Sequence, residues 1–417
     1  MVTVCGLDIG RNHAVVASLN HFPTNIQRYY SQHKREFIRL SFDEDGFDKL
    51  WEMLPDVVVL EPTGRWYSRL VAEKCAAKGI EVCWVGHCQL KSQRESYGFK
   101  SKRDPEDALS LAACYFDERF VDVHGRKRFL QFNPEIEQLR DWFGEWEQLD
   151  KVRNSLVNHI RQRLCYEVPE IASQKLESGY VNKKLQAHPF WCAIAGIHTY
   201  KHFRDKVENT IGAGLSDYTR RHAMRVVELQ RDGELIKAKC LEFISQPEFA
   251  PYLEAMEPFK FGLKNQVGLL IQIYPFDKFL VDGQRWIERR ISRNGKRVKC
   301  DRSLRSFQGF LGLSFVMEQS GDSGKTLKRF TGSKICRSHL YMWAKNEFDK
   351  QRGKRVTSEQ GKILWEKHRD LRRLEKVDED DRYQSGEGAI GGDDAIIRLL
   401  FRTTSELYKN LCRIILG

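Results

Sequence analysis

The chain has 417 residues, which is too long for one ordinary hydrophobic core and predicts two or three domains. Charged side chains make up 30% of it, and no apolar run approaches the roughly 18 residues that a membrane span needs, so we expect no membrane partner. Lysine and arginine number 69 against 57 acidic residues, and the formal net charge of +12 favours a polyanionic partner.

The cysteines and the first residues indicate a compartment. Eleven cysteines are scattered without a Cys-x-x-Cys pair, and Cys83 and Cys88 lack a second pair at zinc-binding spacing. Residues 1–9 have neither the basic start nor the long apolar stretch of a signal peptide. We therefore expect reduced thiols and a cytoplasmic protein.

The first part of the chain alternates strands and helices. Residues 2–9 and 13–19 predict a β-hairpin around a Gly-Arg-Asn turn. The following patterns predict a strand at 35–41, a helix at 43–54, a buried strand at 56–61, a helix at 65–78, a strand at 80–86 and a helix at 104–117. This order, within about 120 residues, favours an α/β, ribonuclease H-like (RuvC-like) domain with a mixed sheet.

The rest of the chain is predicted to be mainly helical. Between Asn133 and about Glu167 apolar residues recur at helical spacing, as in a long amphipathic helix or a coiled coil. Its apolar face could pack on its own domain or form an oligomer contact. The predicted segments are the α/β domain at 1–125, the long helix at 133–168, a helical region of unknown role at 170–257, a mainly α-helical domain at 258–345, and a polar helical tail with a Gly-rich loop at 346–417.

Four acidic residues stand at the ends of predicted elements. Asp8 lies near the end of the first strand, Glu61 ends the fourth strand, and Asp104 and Asp107 open the last helix of the domain. An i, i+3 pair shares one helical face, so the four carboxylates can converge. Hard oxygen donors suit Mg²⁺ or Mn²⁺, and two such ions would support phosphodiester cleavage.

The stretch "KSKRDPEDALSLAA" (100–113) also has a simpler interpretation as a helix start. Asp is a good N-cap, and Pro105 suits the first helical position. In the functional interpretation, the basic residues before the helix steer a nucleic-acid backbone towards the acids. These residues are Lys100, Lys102 and Arg103.

The sequence holds two further charged runs. Residues 285–305 include nine basic and two acidic residues, either as a solvated face or as an element that follows phosphates. Its candidate nucleic-acid contacts are Arg289, Arg290, Arg293, Lys296 and Arg297. The acidic run at 378–381 lies in a polar segment, and we interpret it as a solvated charge run.

Three N-terminal stretches carry a resemblance to a known family. "GLDIGRNHAVV" (6–16), "LEPTGRWYSRLVAEKCAAKGIEVCWV" (60–85) and "KSKRDPEDALSLA" (100–112) resemble the DEDD transposases of the IS-one-ten type, which include Piv-type DNA invertases. "RLCYEVPE" (163–170) resembles the end of their linking coiled coil, and "FQGFLGLSFVMEQSGDSGK" (307–325) resembles their C-terminal transposase domain. The sequence departs from the family at 312–315, where Gly-Leu-Ser-Phe replaces Gly-Leu-x-Pro.

The resemblance implies roles for individual residues. The four metal-binding acids of the family match Asp8, Glu61, Asp104 and Asp107. The covalent nucleophile proposed for the family matches Ser320, although Ser323 stays an alternative, and Arg337 lies in the expected DNA-contact region. The implied partners are Mg²⁺ or Mn²⁺ (two ions), double-stranded DNA at element ends and target, and an element-encoded bridge RNA. Because two DNA ends must be held, we expect a dimer or tetramer of the chain. The resemblance also implies a bacterial protein associated with the nucleoid.

The predicted function is therefore that of an insertion-sequence transposase or recombinase that cleaves and rejoins DNA. Two alternatives keep the nucleic-acid partner: a metal-dependent junction-resolving nuclease that uses water, and a non-catalytic binding protein derived from a transposase. A fourth hypothesis is an actin-like or sugar-kinase ATPase, because "GLDIG" also begins that phosphate loop. That fold also needs a Gly-Gly adenosine motif, for which Gly391-Gly392 is an isolated candidate in a polar segment.

Overall fold

The computed structural model describes most of the chain and divides it into two units. The described residues are 2–63, 66–121, 127–130, 134–174, 176, 181–291, 294–319, 326–347, 356–376, 383–385 and 388–417. One unit is Met1–Pro134 and the other is Glu135–Gly417. The five segments predicted from the sequence are a finer division, which stays a prediction.

The first unit is built on a five-stranded mixed sheet. Its strands are β1 (Val4–Ile9), β2 (His13–Leu19), β3 (Ile38–Ser41), β4 (Val57–Leu60) and β5 (Glu81–Trp84), in the order β3-β2-β1-β4-β5. β1 is antiparallel to β2 and parallel to β4, β2 is antiparallel to β3, and β4 is parallel to β5. The predicted mixed α/β architecture is confirmed at this level.

Helices connect and cover the strands of this sheet. They are α1 (Ile26–His33), α2 (Glu44–Glu52), α3 (Tyr67–Ala77), α4 (His87–Ser96) and α5 (Asp104–Phe116). The sequence patterns did not predict α1 or α4. The only buried side chains are Ile26 in α1, and Leu90 and Arg94 in α4, among the described residues of these helices. Helix α4 therefore shows no apolar stripe in its sequence, whereas the stripe of α1 consists of one buried residue, Ile26, and the partly buried Tyr29 and Tyr30.

The two faces of the sheet carry separate cores. Residues of β4 are buried throughout, and they alternate between the faces as strand geometry requires. Val57 and Val59 join a core with α5, whereas Val58 and Leu60 join a core with α2 and α3. Burial on both faces explains why this strand is a continuous apolar run in the sequence.

The second unit is mostly helical. Its helices are α6 (Pro134–Glu167), α7 (Pro169–Ala172), α8 (Pro189–Ile194), α9 (Lys201–Glu208), α10 (Asp217–Ile244), α11 (Ala250–Met256), α12 (Leu263–Ile273), α13 (Arg302–Phe310), α14 (Lys334–Glu347), α15 (Glu359–Arg372) and α16 (Gly392–Ile415). Short 3₁₀ helices occur at Pro247–Phe249, Glu257–Phe259 and Phe276–Phe279. Three antiparallel hairpins join β6 (Ile287–Ile291) to β7 (Arg297–Asp301), β8 (Ser314–Gln319) to β9 (Thr326–Thr331), and β10 (Leu374–Lys376) to β11 (Tyr383–Ser385).

Helix α6 links two cores of the second unit. Its 34 residues span about 51 Å at 1.5 Å per residue. Phe143 and Trp146 lie in one core with α10, α12 and α14, and Ile160 and Leu164 lie in another with α8 and α10. The apolar stripe that the sequence predicts for α6 is therefore buried, at these four residues, within its own unit.

The end of the chain contributes to a core as well. Ile396, Leu400, Leu407 and Leu411 of α16 are each fully buried beside α11–α14. The sequence prediction of a polar tail at 346–417 is therefore wrong for α16, because its apolar residues recur with helical period. The predicted Gly-rich loop and the acidic run at 378–381 include residues outside the described ranges. Within those ranges, none of the helices combines the length and hydropathy that crossing a lipid bilayer requires.

Candidate functional site

Two of the predicted acids, Asp8 and Glu61, lie at the carboxyl ends of neighbouring strands, at the same edge of the sheet. β1 and β4 run parallel with Leu7 opposite Leu60, so Asp8 and Glu61, the next residues, follow adjacent positions. Asp8 is the fifth residue of the six in β1, and Glu61 directly follows β4. Carboxyl ends of neighbouring parallel strands meet at one edge, which is where ligands bind in many α/β domains.

The other two acids belong to the first turn of α5, which lies very close to β1. A Cβ placed on Gly6 would lie 2.1 Å from the backbone oxygen of Ala108 and 2.4 Å from the nitrogen of Ala112. Only glycine allows this approach of a helix to the strand. The contact fixes α5 beside β1 and brings its first turn towards Asp8.

The predicted Asp N-cap of this helix is wrong. The N-cap residue is Arg103, no side chain caps the helix, and Asp104 is the first helical residue, followed by Pro105. The amides of Glu106 and Asp107 donate hydrogen bonds to the carbonyl oxygen of Arg103, at 2.9 and 3.0 Å. Capping therefore does not use the exposed carboxylate of Asp104.

Three of the acids act electrostatically on the fourth, Asp8. The pKa of Asp8 is raised to about 7, first by burial and then by the negative charges of Asp107, Asp104 and Glu61. The positive charge of Lys102 acts in the opposite direction. A carboxylate that is partly desolvated among three others favours protonation or a bound cation. The four residues that the sequence singled out are thus brought into one neighbourhood.

Asp107 is the most buried of the four and has a partner that the sequence patterns did not predict. It is 1% exposed, and Nη1 of Arg94 in α4 donates a 2.6 Å hydrogen bond to its Oδ1. Its Oδ2 is also buried, and no hydrogen-bond donor among the described residues reaches it. An unsatisfied buried carboxylate oxygen is costly, and a cation would relieve that cost.

Glu61 also has a partner in α4. Oε1 of Glu61, which is 8% exposed, shares a hydrogen bond with Nδ1 of His87 at the start of that helix. His87 and Arg94 are seven residues apart, so two turns of one helix face contact the acids. The seven-residue spacing would have indicated His87 and Arg94 as partners of the acids, but the sequence patterns did not predict that α4 is a helix.

The four acids supply oxygen donors that fit a divalent metal, but their carboxylates are not arranged as a complete metal site. No three His, Cys, Asp or Glu side chains among the described residues are arranged to hold an ion. Arg94 and His87 occupy one oxygen each of Asp107 and Glu61. The orphaned Oδ2 of Asp107 and the raised pKa of Asp8 both favour a cation. Side-chain rotation of the acids would accompany its binding.

One residue of the predicted basic flank acts electrostatically on the acids. Lys100, Lys102 and Arg103 are all exposed, and Lys102 is near enough to lower the pKa of Asp8. Arg103 instead lies 4.0 Å from Glu106. Lys102 is therefore the basic residue that the geometry associates with the acid cluster.

The basic run of the second unit forms the β6–β7 hairpin. Arg289 is opposite Lys299, so two positive charges face one another across the strands. Such pairs destabilise a hairpin in isolation. The two acids of the run do not neutralise this pair, because Asp301 pairs with Arg285 and Glu288 pairs with Arg302. Arg290 and Lys296 are exposed on this hairpin, whereas Arg293 lies outside the described residues.

Arg337, the predicted DNA contact of the C-terminal part, belongs to α14. Ser320 and Ser323 follow β8 in the chain and lie outside the described residues. Nη1 of Arg337 donates a 2.7 Å hydrogen bond to the carbonyl oxygen of Gly312, which precedes β8 and has a φ of +82°. This contact gives Arg337 a structural role, and its predicted nucleic-acid contact stays a prediction.

The chain was compared with models of protein families, and none matches. No curated protein matches it either. The resemblance to DEDD transposases therefore rests on the residues quoted above and stays a prediction.

Proposed function

We propose that this chain is a DNA transposase or site-specific recombinase with a ribonuclease H-like catalytic domain. The observation that supports this most is the electrostatic coupling of Asp8 to Glu61, Asp104 and Asp107 at one sheet edge. Those acids come from β1, from the end of β4 and from α5, which are the positions expected from the resemblance. The net charge of +12 fits a nucleic-acid substrate.

The four acids would hold Mg²⁺ or Mn²⁺, with room in the donor set for two ions. When bound, the metal activates the attacking oxygen and stabilises the leaving oxygen of a phosphodiester. Arg94 fixes the carboxylate of Asp107, and His87 fixes that of Glu61. Lys102 reduces the repulsion at Asp8 and would attract a substrate phosphate.

The resemblance adds a nucleophile and partners to this proposal. The Ser320 hydroxyl would attack the phosphorus of a DNA phosphodiester and form a phosphoseryl bond. One phosphorus–oxygen bond to a sugar breaks, and that sugar oxygen leaves as a hydroxyl after taking up the proton that the serine loses. The linkage remains a phosphodiester, so strands can be rejoined. A serine hydroxyl needs activation, and the acid-bound metal is the proposed source. The proposed partners are double-stranded DNA, a bridge RNA that pairs with it, and further copies of the chain that hold two DNA ends.

The test is an excision assay in bacterial cells that carry the native element with its flanking non-coding DNA. Joined-end circles would be detected by PCR for wild type, Ser320→Ala, Ser323→Ala and Asp104→Ala. Asp45→Ala is the matched control, because Asp45 is also an exposed acid in the first turn of a helix in the same unit. We expect circles from wild type, Asp45→Ala and Ser323→Ala only.

Other outcomes would assign a different function. If Ser320→Ala still yields circles and Ser323→Ala does not, the nucleophile is Ser323. If both serine variants yield circles and Asp104→Ala does not, the chain is a metal-and-water nuclease. If Asp104→Ala retains the wild-type yield of circles, the proposed catalytic role of the acids is wrong.

A further inference from the structure

An exposed aromatic pair begins the helix that follows Glu61. Trp66, the N-cap residue of α3, is 53% exposed, and Tyr67, its first residue, is 45% exposed. Leu70, one turn later, is 41% exposed. Single exposed apolar residues are ordinary, but three within one helical turn form a patch that calls for a ligand or partner. We refer to Trp66 and Tyr67 as the aromatic platform.

The aromatic platform lies at the same sheet edge as the acids. Glu61 follows β4, and Trp66 is five residues further along the chain, a distance that cannot exceed about 18 Å even when fully extended. Since β4 is parallel to β1, this is also the edge at which Asp8 stands. A phosphate bound at the acids would therefore have its neighbouring nucleotides within reach of the platform.

The chemistry of the platform favours a flat, uncharged ring attached to an anionic chain. The guanidinium of Arg69 lies over the Trp66 ring at 5.4 Å from its centroid, and the Trp66 side chain still remains half exposed. Every nucleobase has a π-face that stacks on such rings without regard to sequence. In a duplex those faces are already covered by neighbouring bases, so the platform selects unpaired nucleotides.

Resting on the proposed function, we propose that Trp66 and Tyr67 stack unpaired nucleobases beside the phosphate that the acids act on. A protein partner would use the apolar area of the patch, but it would not account for the position beside four carboxylates and Lys102. The platform would hold a single strand open at the site and add affinity for unpaired DNA or RNA over duplex. This proposal gives α3 a role in substrate selection that is separate from metal binding.

The test measures binding by fluorescence anisotropy with the full chain in an Asp104→Asn background, so that strands are bound and not cut. The probes are a thymidine strand of about 20 nucleotides, a strand of equal length with abasic central positions, a matching uridine RNA, and a duplex. The variants are Trp66→Ala, Trp66→Phe and, as control, Leu54→Ala. Leu54 is 78% exposed in the same unit and precedes β4, at the opposite edge.

We expect Trp66→Ala to weaken binding of the thymidine strand between about 5-fold and 150-fold, the range for removal of one stacked base. Trp66→Phe should restore much of it, and Leu54→Ala should change nothing. The loss of affinity caused by Trp66→Ala should disappear with the abasic strand and with the duplex. The uridine RNA should lose affinity on Trp66→Ala in the same way, since stacking uses the base and not the sugar.

Equal weakening on the intact and abasic strands would overturn the inference, since the effect would not involve bases. Unchanged strand affinity with an altered oligomeric state would also overturn it and assign the patch to a protein contact. Both results leave the proposed recombinase intact. Failure of the parent chain to bind any of the probes would overturn the inference and the proposed function together.

Discussion

The guanidinium of Arg94 and the carboxylate of Asp107 form a buried ion pair, 2.6 Å apart, between α4 and α5. The two side chains are 10% and 1% exposed. Both lose hydration, and the attraction between them offsets much of that cost only while both are present. The pair connects an element that the sequence did not reveal to one of the four predicted acids, and it holds that acid in place.

Removing one partner of this pair should be costly. Arg94→Met leaves Asp107 buried and unpaired, so we expect a decrease of about 3–5 kcal/mol in unfolding free energy, measured by urea denaturation. The double variant Arg94→Met, Asp107→Leu should recover most of that decrease. Lys409→Met, which breaks an exposed pair with Glu406, should cost less than about 1 kcal/mol. A double variant as unstable as the single one would contradict this account.

The raised pKa of Asp8 predicts a pH-dependent stability in metal-free buffer. Its pKa rises from 3.8 to about 7 on folding, so the folded state holds the proton more tightly. The unfolded state loses the proton first, and stability therefore falls as pH rises from about 4 to about 7. Asp8→Asn should raise the melting temperature at pH 8 and not at pH 4, with a gain of at most about 4 kcal/mol. Equal effects at both pH values would show that Asp8 is not perturbed.

Divalent metal should stabilise the folded chain. We expect Mg²⁺ to raise the melting temperature saturably, by the equivalent of about 2.7 kcal/mol at 100 times its dissociation constant. The effect should be larger at pH 8 than at pH 6, because a proton on Asp8 competes with the ion. Asp107→Asn should abolish it, and Glu106→Gln, the matched change of a buried acid in the same helical turn, should not. A wild-type melting temperature independent of Mg²⁺ would contradict metal binding here.

Two glycines should respond oppositely to the same substitution. Gly6→Ala would force a methyl group against the backbone of α5, so we expect a destabilisation of about 3 kcal/mol or more and weaker Mg²⁺ stabilisation. Gly233 lies within α10, and a Cβ there would meet nothing within 4 Å. Gly233→Ala should therefore stabilise the chain by about 0.5–1 kcal/mol, because alanine favours helix. Thermal and urea unfolding measure both, and equal shifts in the two variants would refute the packing argument.

The β6–β7 hairpin should contribute to duplex DNA binding through charge. Removing one cationic side chain that neutralises a phosphate reduces the slope of log affinity against log salt by about 0.9. We expect Arg289→Gln combined with Lys299→Gln, which share one face of the hairpin, to reduce that slope by about twice this amount, measured by anisotropy over a salt series. Lys34→Gln, an exposed cation of the first unit, serves as the control. An unchanged slope in the double variant would show that the hairpin is only a solvated face.

Local patterns in the sequence determined the strands and the positions of the acids. The apolar run of β4 is visible because that strand is buried on both faces, and the start of α5 is visible because Pro105 and three acids occupy its first turn. Asp8 and Glu61 could be placed at strand ends because local patterns also reveal the strands that carry or precede them. Such features depend on residues within a few positions of one another.

Only the tertiary structure decided what surrounds those acids. Arg94 meets Asp107 across 13 positions, and His87 meets Glu61 across 26. The polar helix that carries both partners has no apolar stripe to reveal it, and the need for glycine at Gly6 depends on the backbone of α5. Contacts between elements set the burial, the pKa of Asp8 and the orphaned oxygen of Asp107, because these depend on distances that no local pattern encodes.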